Sequence, residues 1–73
     1  MIRMNDVKSS SISKIGYDPT VREMAITFTS GATYIYREVS LLDFAEFMNA
    51  ESKGKHFHNY IKPYYEGKIM MEF

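Results

Sequence analysis

The chain has 73 residues, 45% of them hydrophobic and 15% aromatic, with nine Lys and Arg against nine Asp and Glu and no cysteine. A chain this short has room for one core only, which excludes two domains, and its aromatic content is too high for a disordered segment. The lack of cysteine removes disulfides and thiolate metal ligands, and the balanced charge removes any global field that would steer the protein onto nucleic acid or an anionic membrane.

Met1 to Val7 carries Arg3, Asn5 and Asp6 and no apolar run of signal-peptide length. No stretch approaches about 20 apolar residues, so a cytoplasmic protein without a membrane span is expected. Ser10 to Tyr17 is a strand candidate, closed by a turn at Asp18-Pro19-Thr20. Its apolar residues Ile12 and Ile15 differ in parity, which predicts a bulge or a twisted edge. Met24, Ile26 and Phe28 alternate with Ala25, Thr27 and Thr29, the pattern of a half-buried strand. After Thr29-Ser30-Gly31 a second β-rich run, Thr33 to Val39, completes an antiparallel hairpin.

The register of that hairpin decides the position of Tyr34 and Tyr36. A two-residue type I′ loop at Ser30-Gly31 would put both on the face opposite Met24, Ile26 and Phe28, as an exposed aromatic platform. A three-residue loop with Gly31 left-handed would pair Phe28 with Ala32 and Ile26 with Tyr34, and both tyrosines would join the core. The second needs positive φ only at glycine and is favoured for that reason.

Ser40 stands at a helix cap with Asp43 three residues on, and Leu41, Phe44, Ala45 and Met48 share one face of the helix that follows. A second helical stretch begins near Lys55, with Phe57, Tyr60, Ile61 and Tyr64 at three- and four-residue spacing. Pro63 predicts a kink or restart there. The tail, Ile69-Met70-Met71-Glu72-Phe73, is apolar and follows Gly67. It is expected to be buried, as a short added strand or as a cover over a neighbouring protomer, and the second arrangement would make the protein a homodimer. The expected architecture is α+β: a three-stranded antiparallel β-meander followed by two helices packed on one face, in one domain spanning residues 1–73.

The run Ile15-Gly16-Tyr17-Asp18-Pro19, then Met24-x-Ile26-x-Phe28-x-x-Gly31-x-x-Tyr34-x-Tyr36-x-x-Val39, then Ala50-x-Ser52-x-Gly54-x-x-Phe57-x-x-x-Ile61-x-x-x-Tyr65, resembles the KTSC domain. The resemblance covers about residues 8 to 65. Two positions depart from it: Ser40 where a proline is usual and His58 where the family tends to have asparagine. That domain is named for the C-terminus of some lysyl-tRNA synthetases and also occurs as free-standing small proteins. The resemblance implies RNA binding and brings no catalytic residues.

Ser52 to Lys68 is locally basic, with Lys53, Lys55, Lys62 and Lys68 against Glu66 alone. The Ser52-Lys53-Gly54-Lys55 turn at a helix start offers free amides, a hydroxyl and two ammonium groups, a combination suited to a phosphate. The plainer alternative is that Ser52 merely caps the helix and the lysines are solvated. His56 and His58 lie roughly 200° apart on a helix, so they do not share a metal, and no activated nucleophile or carboxylate is spaced beside either. Neither a metal nor another cofactor is expected. Tyr60, Tyr64 and Tyr65 flank Lys62, an interleaving of rings and cations that resembles a base-stacking surface, although Tyr60 and Tyr64 fall on the face of Phe57 and are expected in the core, with their hydroxyls at its edge.

The expected function is therefore a non-catalytic module that binds nucleic acid, RNA in particular. Phosphates would be held by Ser52, Lys53, Gly54, Lys55, His58, Lys62 and Lys68, and bases would stack on Tyr34, Tyr36 or Tyr65. Two alternatives stand beside it. One is a protein-interaction or inhibitor domain docking through the tail and sheet edge; the other is a dimer that sequesters a small nucleotide.

Overall fold

The computed structural model describes residues 2–71. Strands β1 (Met4–Asp6), β2 (Ile12–Asp18), β3 (Glu23–Phe28), β4 (Thr33–Tyr36) and β5 (Gly67–Met71) form one antiparallel sheet in the order of the chain. Between β4 and β5 come two helical segments, α1 (Leu41–Asn49) and α2 (Lys53–His56). The second continues as a π-helical turn, Phe57–Ile61. The α+β class and the antiparallel sheet with two helices match expectation, but the described residues contain five strands rather than three.

Both additional strands lie at the edges. Met4-Asn5-Asp6 has little strand propensity of its own, since Asn and Asp are depleted in strands, and it forms against β2, with Met4 opposite Gly16 and Asp6 opposite Lys14. The tail adds β5 to β4 within the same chain, with Tyr34 opposite Ile69 and Tyr36 opposite Gly67. Its side chains are not covered as expected: Ile69 is 49% exposed and Met70 66%. Glu72 and Phe73 lie outside the described residues.

The core sits between the sheet and the helices. Ile12, Ile15, Met24, Ile26, Val39, Phe47 and Ile61 are completely buried, and Tyr36 nearly so. The parity conflict between Ile12 and Ile15 is resolved by a register shift between Ile12 and Lys14, which lets both isoleucines face inward. The hairpin takes the three-residue loop. Phe28 N donates to Ala32 O at 2.9 Å, Ile26 lies opposite Tyr34, and Gly31 has φ 101°. Tyr34 and Tyr36 therefore share the helix-covered face with Met24, Ile26 and Phe28.

Ser40 caps α1 as expected, its hydroxyl accepting from Asp43 N at 3.1 Å. The buried face of α1 is centred on Phe47, with Phe44 and Met48 beside it. Leu41, expected on that face, is 63% exposed in the first turn. In the next segment Lys62 N donates to Phe57 O, five residues back. That wider winding keeps Ile61 above Phe57 but swings Tyr60 off the core side, whereas an α-helical turn would have kept all three together. Tyr60 and Tyr64 are exposed in consequence. The helix stops short of Pro63, where a break was expected.

Candidate functional site

An open cleft of about 660 Å³ lies where the β3–β4 turn, the edge strand β5 and the π-helical turn meet. Its floor is aromatic because the hairpin register delivers Phe28, Tyr34 and Tyr36 to one face, and Phe57 closes over them from the helical side. Phe28 meets Phe57 edge-to-face at 5.2 Å and Tyr34 at 5.7 Å; Tyr36 meets Phe57 at 5.8 Å. Rings in this arrangement place the positive edge of one on the negative face of the next, which fixes the floor without any polar partner. Ser11, Thr29 and Ser30 put hydroxyls on one wall, and Lys62 and Tyr65 form the other.

Two phenols are perturbed. Burial, reinforced by the neighbouring Tyr34, pushes the Tyr36 hydroxyl up to about 12. Burial also raises Tyr65, helped by the Asp43 carboxylate that accepts its hydroxyl proton. That bond ties the cleft's outer wall to α1. Gly67 is required by close approach, because a Cβ at this position would overlap the Tyr36 ring.

The structure brings Tyr34, Tyr36, Tyr65 and Lys62 together and separates the rest. Tyr36, at 5% exposure, is floor rather than platform: Phe57 and the backbone of β5 cover its ring, so of the three expected stacking residues Tyr34 and Tyr65 keep usable surface. The Ser52 hydroxyl accepts from Lys55 N at 3.2 Å, and the Lys53 ammonium donates to Ala50 O. The Ser52 hydroxyl therefore caps the helical segment, and one of the three Lys53 N–H donors is used within the chain. Gly54 packs against Ser11, which sets the turn beside the cleft; Lys55 and His58 are exposed and do not line it. Lys68 pairs with Ile35 and lies on the opposite face of the sheet. His56 stacks on Phe47 with ring centroids 5.4 Å apart. Among the described residues no group of three or more His, Cys, Asp or Glu could hold a metal ion, and no helix is long and apolar enough to cross a membrane.

Sequence reasoning missed Phe28, Phe57 and the three hydroxyls. The first two were legible, since the favoured hairpin register already sets Phe28 beside Tyr34 and helical spacing turns Phe57 inward. Ser11 carried no signal, because the bulge and a packed helix start together bring it to the rim.

The architecture defines a small α+β domain with an aromatic cleft at one sheet edge. The chain belongs to the KTSC domain family, whose model matches residues 8–65. It is similar to the crystal structure of a KTSC domain protein from Yersinia pestis, with a TM-score of 0.93 and 35% identity over 97% of this chain and 100% of that one. A protein of Tsukamurella paurometabola is 43% identical over 60 residues, covering 82% of this chain and 90% of its own. A lysine–tRNA ligase of Nostoc is 40% identical over 55 residues, 75% of this chain but only 10% of the ligase.

Proposed function

We propose that this domain is a non-catalytic binding module for single-stranded RNA, taking one base into the aromatic cleft. The observation that carries the reading is the convergence of Tyr34, Phe57 and Tyr65 with one cation, Lys62, in a single cleft rimmed by hydroxyls. An apolar aromatic floor suits the flat face of a base, hydroxyls suit its polar edge, and an ammonium at the mouth suits the phosphate that follows. Lys55 and His58, both exposed, offer further contacts to the backbone. The lysine–tRNA ligases that carry a similar segment work on an RNA, which supports the choice of RNA and a cytoplasmic setting.

The test is fluorescence anisotropy with labelled oligoribonucleotides across a salt series. Stacking of one base is worth about 1–3 kcal/mol, so Tyr34→Ala should weaken binding by roughly tenfold or more without unfolding the domain. Lys62→Glu should weaken it further and flatten the salt dependence by about one phosphate contact. The cleft's size also suits a lone nucleotide. If a mononucleotide raises the melting temperature and a longer strand binds no tighter, the sequestering reading replaces this one. Equal affinity of wild type and both variants overturns the site.

A further inference from the structure

A separate groove, of about 630 Å³, lies between α1 and the π-helical turn. Its two banks differ in chemistry. Asp43 and Glu46 stand three residues apart on α1, which puts both carboxylates on one side of that helix. Tyr60 and Tyr64, 59% and 74% exposed, form the other bank, with the buried Ile61 at the bottom. Among the described residues no lysine or arginine lines this groove: Lys62 borders the aromatic cleft, and the Lys53 ammonium donates to Ala50 O. Its one basic group is His56, whose ring stacks on Phe47 and leans on Tyr60, with centroids 5.4 and 4.9 Å away.

Acids set against exposed rings define an occupant by both charge and shape. The face of an aromatic ring is negative, so Tyr60 and Tyr64 attract the same sign of charge as the two carboxylates. An anion or an uncharged apolar group would suit only part of this lining. A guanidinium suits all of it, because it is flat enough to stack on a ring and offers paired N–H donors to a carboxylate, whereas an ammonium supplies charge without the flat face. The two acids are unequal. Asp43 accepts the Tyr65 hydroxyl proton on one oxygen and lies in the first turn of α1, where its charge offsets the positive end of the helix. Glu46 is exposed and forms no ion pair among the described residues, so it carries most of the attraction.

We infer that this groove is a docking site for an arginine side chain presented by a partner protein, independent of the aromatic cleft. The probe is a capped glycine–arginine–glycine tripeptide, titrated into the isotope-labelled full chain and followed by NMR. Beside it run the tripeptides with lysine and with citrulline, which keeps the shape of arginine without its charge. The arginine peptide should shift the Tyr60 and Tyr64 ring signals and the Glu46 amide saturably, the lysine peptide should bind more weakly, and the citrulline peptide should leave them in place. Glu46→Gln and Tyr64→Ala should each weaken the arginine peptide about threefold, and both side chains are exposed, so the fold is not at stake. Three results overturn the inference: no saturable shift at these two rings, equal binding of the lysine or citrulline peptide, or an affinity that neither Glu46→Gln nor Tyr64→Ala reduces.

Discussion

On the helix-covered face of the sheet Ile12, Ile15, Met24 and Ile26 are fully buried, whereas on the other face their neighbours Lys14, Glu23 and Thr27 keep contact with solvent and the small residues Gly16 and Ala25 are buried. The two faces share every backbone hydrogen bond and differ only in side-chain parity. The covered face gains its stability from close packing under Phe47 and Ile61, while the open face is held by pairwise contacts such as Glu23 with Arg37. Substitutions on the two sides should therefore have unequal costs even where the residue types are alike.

The largest expected effect tests that inequality directly. Phe47→Ala, which empties the centre of the covered face, should lower the unfolding free energy by about 3–5 kcal/mol, much of what so small a domain can have. Ile35→Ala on the open face should cost roughly 1 kcal/mol, since its side chain is only partly buried. Urea titrations of both variants would show it, and equal losses would mean that the open face is as tightly packed as the core. Next in size is Gly67→Ala, which forces a methyl group into the Tyr36 ring and should destabilise by about 1–3 kcal/mol. A variant as stable as wild type would show that β5 can move away from β4 at no cost.

The smallest effect lies in the pH dependence. Below pH 10 the Tyr36 hydroxyl is neutral in both the folded and the unfolded chain and contributes nothing to the slope. Between pH 10 and about 12 the unfolded chain releases this proton and the folded one keeps it, so stability falls as pH rises through that window. Tyr65, raised in the same direction, adds to the fall. Tyr36→Phe should flatten the alkaline limb in part, which melting curves collected across this range would register.

Much of this fold was legible because it rests on local rules. Alternation in Met24 to Phe28 fixed a strand, the single glycine at the β3–β4 turn favoured the register that appears, and Ser40 and Ser52 each cap the helical segment they precede. The unequal parity of Ile12 and Ile15 signalled the bulge. The motif run from Ile15 to Tyr65 pointed to the KTSC family, whose model matches residues 8–65.

Long-range partners decided the rest. β1 exists because β2 has a free edge, not because Met-Asn-Asp favours extension. The π-helical turn, closed by the bond from Lys62 N to Phe57 O, has a winding that α-helical spacing does not anticipate, and it turned Tyr60 and Tyr64 outward. The lysines read as one basic surface along the sequence, yet β5 runs back along β4 with Lys68 on the open face while Lys62 borders the cleft. Sequence spacing fixes side-chain direction only within one helix or strand; which side of the sheet a later segment reaches is set by the edge on which it finds its backbone partners.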